Sequence, residues 1–188
     1  ISEYTDWLQL QCKDKLSIQE RPYYLSSVDK LGEGVYGSVT KGCLHETDTA
    51  VIIKKLTQVE QCHHLTLLSS LLLEAALIEI TDSQFTPELI GVHTSMPYQL
   101  VCKDDRAISL RDYLGHHHEA CDKKNNAITY QLALALAHLH SHGFVHCDLK
   151  PDNAIITVVR TEETWRCHVK LIDFGFALPT KFQITNDV

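Results

Sequence analysis

The sequence predicts an α+β chain in two lobes, a strand-rich lobe with one helix followed by a more helical lobe. Short β-type runs separated by glycine or polar turns fill the stretch from Tyr23 to Ile53. Two longer segments, Leu65–Ile80 and Ala127–His142, carry apolar residues at three- and four-residue steps. A pair of β-branched runs near the end brackets a single polar turn.

Residues 1 to about 24 place Trp7, Leu8, Leu10, Leu16 and Ile18 among polar residues and end at Pro22, so they are set aside as a flanking segment. Strands are expected at Leu25–Leu31, Val35–Leu44 and Thr49–Lys54. Their connections are too short for crossover helices, which makes the group an antiparallel meander. Leu65–Ile80 reads as a helix with one strongly apolar face. Pro87, Gly91 and Pro97 punctuate two further strands, Leu89–His93 and Tyr98–Cys102. The second helix, Ala127–His142, is stopped by Gly143. Ala154–Val159 and Cys167–Ile172 then form a hairpin around the turn Arg160–Trp165.

Composition narrows the function classes. The 188 residues are 44% hydrophobic and 22% charged, the balance of a packed domain. Acidic residues outnumber basic ones by 24 to 17. That argues against a nucleic-acid or anionic-membrane partner, which would need clustered Lys and Arg. The greasiest stretch, Leu65–Ile80, is interrupted by Ser69, Ser70, Glu74 and Glu79, so no membrane span is expected. Seven cysteines without a C-x-x-C pair favour free thiols and an intracellular setting, cytoplasm or nucleus.

Leu31-Gly-Glu-Gly-Val-Tyr-Gly-Ser-Val39 is a G-x-G-x-x-G loop between apolar flanks. Glycines let backbone N–H groups approach phosphate oxygens where a Cβ would intrude. A dinucleotide site uses the same pattern but needs a helix directly after it. Here Ser38–Leu44 reads as strand. Farther on, Val51-Ile-Ile-Lys54 closes a strand. A lysine beside a phosphate cradle neutralises phosphate charge and, without phosphate, needs a carboxylate. Glu74, in the first helix, is the candidate partner. Taken alone, Lys54 and Glu74 also fit ordinary surface charges.

Later motifs decide between these readings. His146-Cys-Asp-Leu-Lys-Pro-Asp-Asn153 follows the second helix, and Asp173-Phe-Gly175 follows the hairpin. In phosphoryl transfer, Asp148 can accept the proton of an attacking hydroxyl and Lys150 can stabilise the transferring group. Asn153 and Asp173 can hold Mg²⁺ against phosphate oxygens. The histidines invite less. His116-His117-His118 reads as a solvated turn before Cys121, and His138, His140 and His142 are spaced too closely along one helix to share a metal.

With glycine loop, strand lysine, helix glutamate, catalytic loop and D-F-G in this order, the chain resembles the eukaryotic-type protein kinases. The resemblance implies a protein-kinase-like two-lobe fold over residues 25–188, the small lobe running to about 104 and an incomplete helical lobe from about 105. It implies an ATP site lined by Leu31, Gly32, Glu33, Gly34, Val35, Tyr36, Gly37, Ser38 and Val39. Lys54, Cys102 and Ile155 complete that lining, with Cys102 at the start of the segment joining the lobes. Lys54 paired with Glu74 would position the phosphates. Asp148 would be the base, Lys150 the charge stabiliser, and Asn153 and Asp173 the Mg²⁺ ligands. Lys150 resembles the serine/threonine branch, so the implied activity is transfer of the ATP γ-phosphoryl group to a protein hydroxyl. His146 would pack beneath Phe174. The chain ends before the family's A-P-E motif, so it is expected to be a fragment of a longer kinase. The alternative is a truncated kinase-like binding module that docks on or inhibits another kinase; a regulatory protein or another kinase is the further partner expected.

Three departures from the family pattern modify this picture. Cys147 stands where the family has an Arg that pairs with an activation-loop phosphate, which implies control without phosphate at Thr180 or Thr185. The hairpin between Asn153 and Asp173 is longer than usual, a surface elaboration that costs little loop entropy. Ile52 stands where the family has Ala against the adenine and narrows the pocket. Ile52→Ala is therefore expected to tighten ATP binding by about 1–3 kcal/mol. Calorimetric titration with ATP checks this, and unchanged or weaker binding contradicts it.

Overall fold

The computed structural model describes residues 29–34, 37–44, 47–56, 64–81, 84–94, 96–116, 122–161 and 164–180. They form two compact units. The first holds the described residues up to 81 together with Pro87–Asp105, and the second holds Gln84–Thr86 and the described residues from Arg106 onward.

The first unit is built on a five-stranded antiparallel sheet. Its strands are β1 (Asp29–Gly34), β2 (Gly37–Cys43), β3 (Ala50–Leu56), β4 (Leu89–His93) and β5 (Tyr98–Lys103), in the order β1-β2-β3-β5-β4. Strand alternation divides β3 between two faces. Val51 and Ile53 are buried with Val101, and Leu44 and Ile90 pack on them. Ile52 and Lys54 occupy the other face. Lys54 lies opposite Val39 on one side and Leu100 on the other, while Ile52 lies opposite Lys41 and Cys102. Directly opposed residues share a face, so these form two adjacent rows.

Helix α1 (His64–Ile80) connects β3 to β4 in sequence and packs against β4 and β5. The expected single apolar face is not what this helix has. Residues 73–78 are buried without interruption, Glu74 among them. A run of six buried residues covers more than a full turn, so this part of the helix is enclosed on every side and Glu74 lies within it. The C-terminal end is satisfied locally, since Thr81 donates both its N–H and its hydroxyl to the Leu77 carbonyl at 3.0 and 2.5 Å.

The strands near the glycine loop also differ from expectation. Among the described residues β1 covers Asp29–Gly34 and so runs past the expected end at Leu31 to include Gly32 and Gly34, while Val35 and Tyr36 lie outside the described residues. β3 continues to Leu56, and Lys54 therefore projects from inside the strand instead of from its end.

The second unit contains β6 (Ile108–Ser109), α2 (Leu110–His116), α3 (Asp122–Ser141), β7 (Phe144–Val145), β8 (Ala154–Arg160), β9 (Trp165–Leu171) and β10 (Leu178–Pro179). Sheets β6-β8-β9 and β10-β7 organise it. Leu110, Tyr113, Ile128, Ala154, Ile156, Cys167 and Val169 form its core, contributed by α2, α3 and the β8–β9 hairpin. Helix α2 had no counterpart in the sequence reading, and α3 begins five residues earlier than the apolar pattern does. Gly143 ends α3 in the left-handed region at φ 81°, where a side chain would be strained. Its carbonyl accepts the Thr180 N–H at 2.8 Å, beside the Leu178–Val145 and Pro179–Phe144 pairs of β10 and β7.

Gln84–Thr86 belongs with this unit although it falls between α1 and β4. Phe85 accepts the Leu171 N–H at 2.9 Å, and its ring lies 4.8 Å from that of His138. Among the described residues, no helix is long and apolar enough to cross a membrane.

Gly37 is under a tight steric constraint in the first unit. A Cβ there would sit 1.9 Å from the Lys55 carbonyl oxygen and 2.9 Å from the Leu56 Cα. Gly37→Ala is expected to lower stability by about 1–3 kcal/mol, because strands β2 and β3 must separate locally. Gly32→Ala meets nothing within 4 Å and is expected to fold as the parent does. Thermal melting of the two variants checks the contrast.

Candidate active site

The glycine loop starts from the β1–β2 ladder. Gly32 pairs with Val39, Glu33 with Ser38 and Gly34 with Gly37, and a bulge between Lys30 and Gly32 leaves Leu31 out of register. Leu31 is half exposed at 51%, and Val39 is partly buried. Gly37 is required by strand packing. Gly32 and Gly34 are not: a Cβ on either would enter open space. Their lack of a side chain leaves room for something outside the fold to approach the backbone, which suits a phosphate cradle.

Lys54 and Glu74 meet within the same unit. The ammonium lies 2.7 Å from Oε2, with side-chain exposures of 29% and 6%. Removing one partner of an ion pair this enclosed costs about 3–5 kcal/mol. Cys102 lies on the neighbouring strand. Burial pushes its thiol up to about 12, reinforced by the charges of Glu74 and Asp105 and opposed by Lys54. A thiol in that state is not a nucleophile, so Cys102 contributes shape and apolar contact.

The second unit assembles the acidic loop. The His146 ring is 1% exposed and lies 5.2 Å from that of Phe174, which is fully buried. The Asp148 N–H donates to His146 Nδ1 at 3.3 Å, which leaves Nε2 as the protonated nitrogen donating to the Ile172 carbonyl at 3.0 Å. One imidazole thus ties the loop to the residue preceding Asp173. Cys147 and Asp173 both adopt left-handed backbone, at φ 61° and 63°. Strain of this kind persists only where the surrounding contacts impose it, and here it flanks the polar groups that the sequence singles out.

Asp148 is held by two donors. Its Oδ2 accepts from the Lys150 ammonium at 2.6 Å and from the Asn153 amide at 2.9 Å. The same amide nitrogen also reaches the Asp148 carbonyl at 2.9 Å. Asn153 further donates its N–H to the Lys150 carbonyl at 2.9 Å and accepts the Ile172 N–H at 3.0 Å. The hydrogen bond from Lys150 holds the Asp148 carboxyl below the usual aspartate range, against a smaller desolvation effect. Lys150 is raised in turn, first by that bond to Asp148 and further by the charges of Asp173 and Asp152.

The donor set also bears on a metal. Among the described residues, no three His, Cys, Asp or Glu side chains converge on an ion. Asn153, however, is 5% exposed, and its Oδ1 receives no hydrogen bond from a described residue. A buried amide oxygen left without a donor beside an Asp carboxylate suits a hard cation such as Mg²⁺, which takes few protein oxygens and fills its shell with water and phosphate.

The sequence-predicted residues therefore fall into two groups. Leu31, Gly32, Glu33, Gly34, Gly37, Ser38, Val39, Lys54, Glu74 and Cys102 belong to the first unit. Asp148, Lys150, Asn153, Ile155 and Asp173 belong to the second. Val35 and Tyr36, His117, His118, Cys121 and Thr185 lie outside the described residues. His138 and His142 pack together at 4.5 Å on α3, a structural contact one helical turn apart. Sequence reasoning missed Arg111, whose guanidinium bridges Asp152 at 2.6 Å across 41 positions of chain. No local pattern marks such a distant partner.

The Asp148 shift has a testable sign. A carboxyl lowered in the folded state contributes stability above the unfolded aspartate pKa and loses it as pH falls through the lowered value. Carboxyl-carbon NMR is expected to find Asp148 titrating below ordinary aspartates. In Lys150→Met its midpoint is expected to rise, because the main cause of the shift is gone.

Comparison with known proteins agrees with this geometry. The family model described as protein kinase domain matches residues 25–186. Cyclin-dependent kinase-like 1 of Caenorhabditis elegans is 35% identical over 80% of this chain and 40% of its own length. Cell division control protein 2 homolog 3 of Trypanosoma brucei brucei is 29% identical over 80% of this chain and 46% of its own. The PAS domain-containing serine/threonine-protein kinase of Mus musculus is 29% identical over 84% of this chain and 11% of its own. The chain spans less than half the length of each of these relatives. A match covering most of the chain, joined to the paired lysine and glutamate and the hydrogen-bonded acidic loop, places it in the eukaryotic-type protein kinase family.

Proposed function

We propose that the chain carries the nucleotide-binding and phosphoryl-transfer residues of a protein serine/threonine kinase. The observation that carries the reading is the cluster in which Lys150 and Asn153 both hold Asp148 Oδ2, with the Asn153 amide oxygen left over. One carboxylate oxygen is committed to orienting the group, and the ionised carboxylate can take the proton of a substrate hydroxyl as that oxygen attacks the γ-phosphorus. Its lowered pKa keeps it in the base form at neutral pH. Lys150 faces the charge that develops on the transferring group.

Asn153 and Asp173 are the residues that would hold Mg²⁺, which supplies charge neutralisation on the phosphate oxygens when bound. The backbone around Gly32 and Gly34 would receive the phosphates, and Lys54, oriented by Glu74, would neutralise the α and β groups. Leu31, Val39 and Ile155 are assigned to the adenine, with Cys102 at the edge of the base. The small lobe would extend over about 25–104 and the helical lobe from about 105. Lys150 and the serine/threonine kinase named among the relatives support a hydroxyl of Ser or Thr on a protein as acceptor.

Asp148→Asn is the direct test. Transfer of labelled phosphate from ATP to a protein substrate is expected to fall by about 10²–10⁴-fold. ATP binding measured by fluorescence or calorimetry is expected to stay close to that of the parent. Equal transfer by parent and variant would remove Asp148 from its assigned role.

A further inference from the structure

Arg111 and Asp152 make a two-pronged contact. Nε lies 2.6 Å from Oδ1 and Nη2 lies 2.7 Å from Oδ2. The parallel fork fixes orientation as well as distance, which a single-point ion pair does not. Both ends have structural meaning. Arg111 rides on α2, whose first turn is capped: Ser109 Oγ accepts the Asp112 N–H at 3.0 Å and donates to its carboxylate at 2.7 Å. Leu110 and Tyr113, on either side of Arg111, are buried at 7% and 2% in the core of the second unit. The helix therefore presents the guanidinium from a fixed base.

Asp152 is the centre of the 3₁₀ turn Pro151–Asn153, which has no side-chain cap at Lys150. A turn of three residues has little intrinsic stability. Its next residue is Asn153, whose amide orients Asp148 and whose carbonyl accepts the Ile172 N–H. Asp152 without a cation would also add a third carboxylate to Asp148 and Asp173 around Lys150, and all three act on Lys150 electrostatically.

We infer that Arg111 is a positioning residue for the catalytic loop, clamping Asp152 so that the turn presents Asn153 and Asp148 in fixed geometry. The inference rests on the roles proposed above for Asp148 and Asn153. It assigns a function to a pair whose contribution to global stability is small. The two side chains are 62% and 43% exposed, and exposed ion pairs add little to stability. The consequence of losing the clamp is a looser turn, felt in the chemical step.

The test uses the whole chain and two independent readouts: amide hydrogen exchange at Asn153 and Ile172 by NMR, and kcat separated from KM for ATP. In Arg111→Ala, exchange at Asn153 is expected to rise and kcat to fall, each about tenfold. KM for ATP is expected to hold within about twofold, as for a residue that does not bind the nucleotide. Arg111→Lys restores part of the loss, since an ammonium cannot form the fork. The exchange of charges, Arg111→Asp with Asp152→Arg, recovers more than either single change alone. Asp152→Asn provides a milder variant if Arg111→Ala does not fold. Parent-like exchange and parent-like kcat in both single variants overturn the inference, as does a double variant worse than either single one. If the parent transfers no phosphate but exchange still responds and the double variant rescues it, the kinase reading fails and the clamp stands.

Discussion

The second unit depends on one buried amide. Asn153 spends its NH₂ on two atoms of Asp148, the carbonyl and Oδ2, while its backbone groups bond to Lys150 and Ile172. Four contacts from one enclosed residue fix the loop, the carboxylate and the segment leading into Asp173. Such a network is costly to build, because every polar group inside it must find a partner or a ligand. The Oδ1 atom receives no hydrogen bond from a described residue, and it is the atom the proposed Mg²⁺ role would use. His146 works in parallel, using both ring nitrogens to join the Asp148 N–H to the Ile172 carbonyl.

A comparable constraint shapes the first unit. Glu74 sits in a helix segment buried on every side, where an unpaired carboxylate would be neutralised or expelled. Lys54 supplies its counter-charge at 2.7 Å, and the register of β3 between β2 and β5 puts Lys54 there. The pair is therefore a joint product of strand register and helix burial. The same environment makes Cys102 inert, so a thiol next to the proposed nucleotide site presents no competing nucleophile.

Left-handed backbone occurs at Asp48 and Arg106 and also beside the acidic loop. Cys147 and Asp173 adopt it on either side of Asp148, at a cost that is larger for Cys147 because Asp tolerates this region better than most side chains. Beside them His146 and Phe174 are buried with their rings 5.2 Å apart. A rigid base beneath a polar loop is what pre-organised electrostatic catalysis requires.

What the sequence by itself determined is the inventory and order of reactive groups. The glycine spacing, Lys54, the Asp148–Asn153 run and Asp173 are local patterns, and the turn chemistry around Gly143 and Arg160–Trp165 is equally local, so both were legible without coordinates. The wrong expectations were those that depended on surroundings. A single apolar face was expected of α1 from apolar residues at three- and four-residue steps, but residues 73–78 are buried all round and Glu74 among them is paired with Lys54. Helix α2 and its Arg111 were invisible because a short helix is stabilised by its cap and by Leu110 and Tyr113 in the core, not by periodicity. The Lys54–Glu74 pair could be named from the order of motifs, whereas only the tertiary structure decided that Arg111 meets Asp152, since pairing across 41 positions follows from how α2 packs and has no signature along the chain.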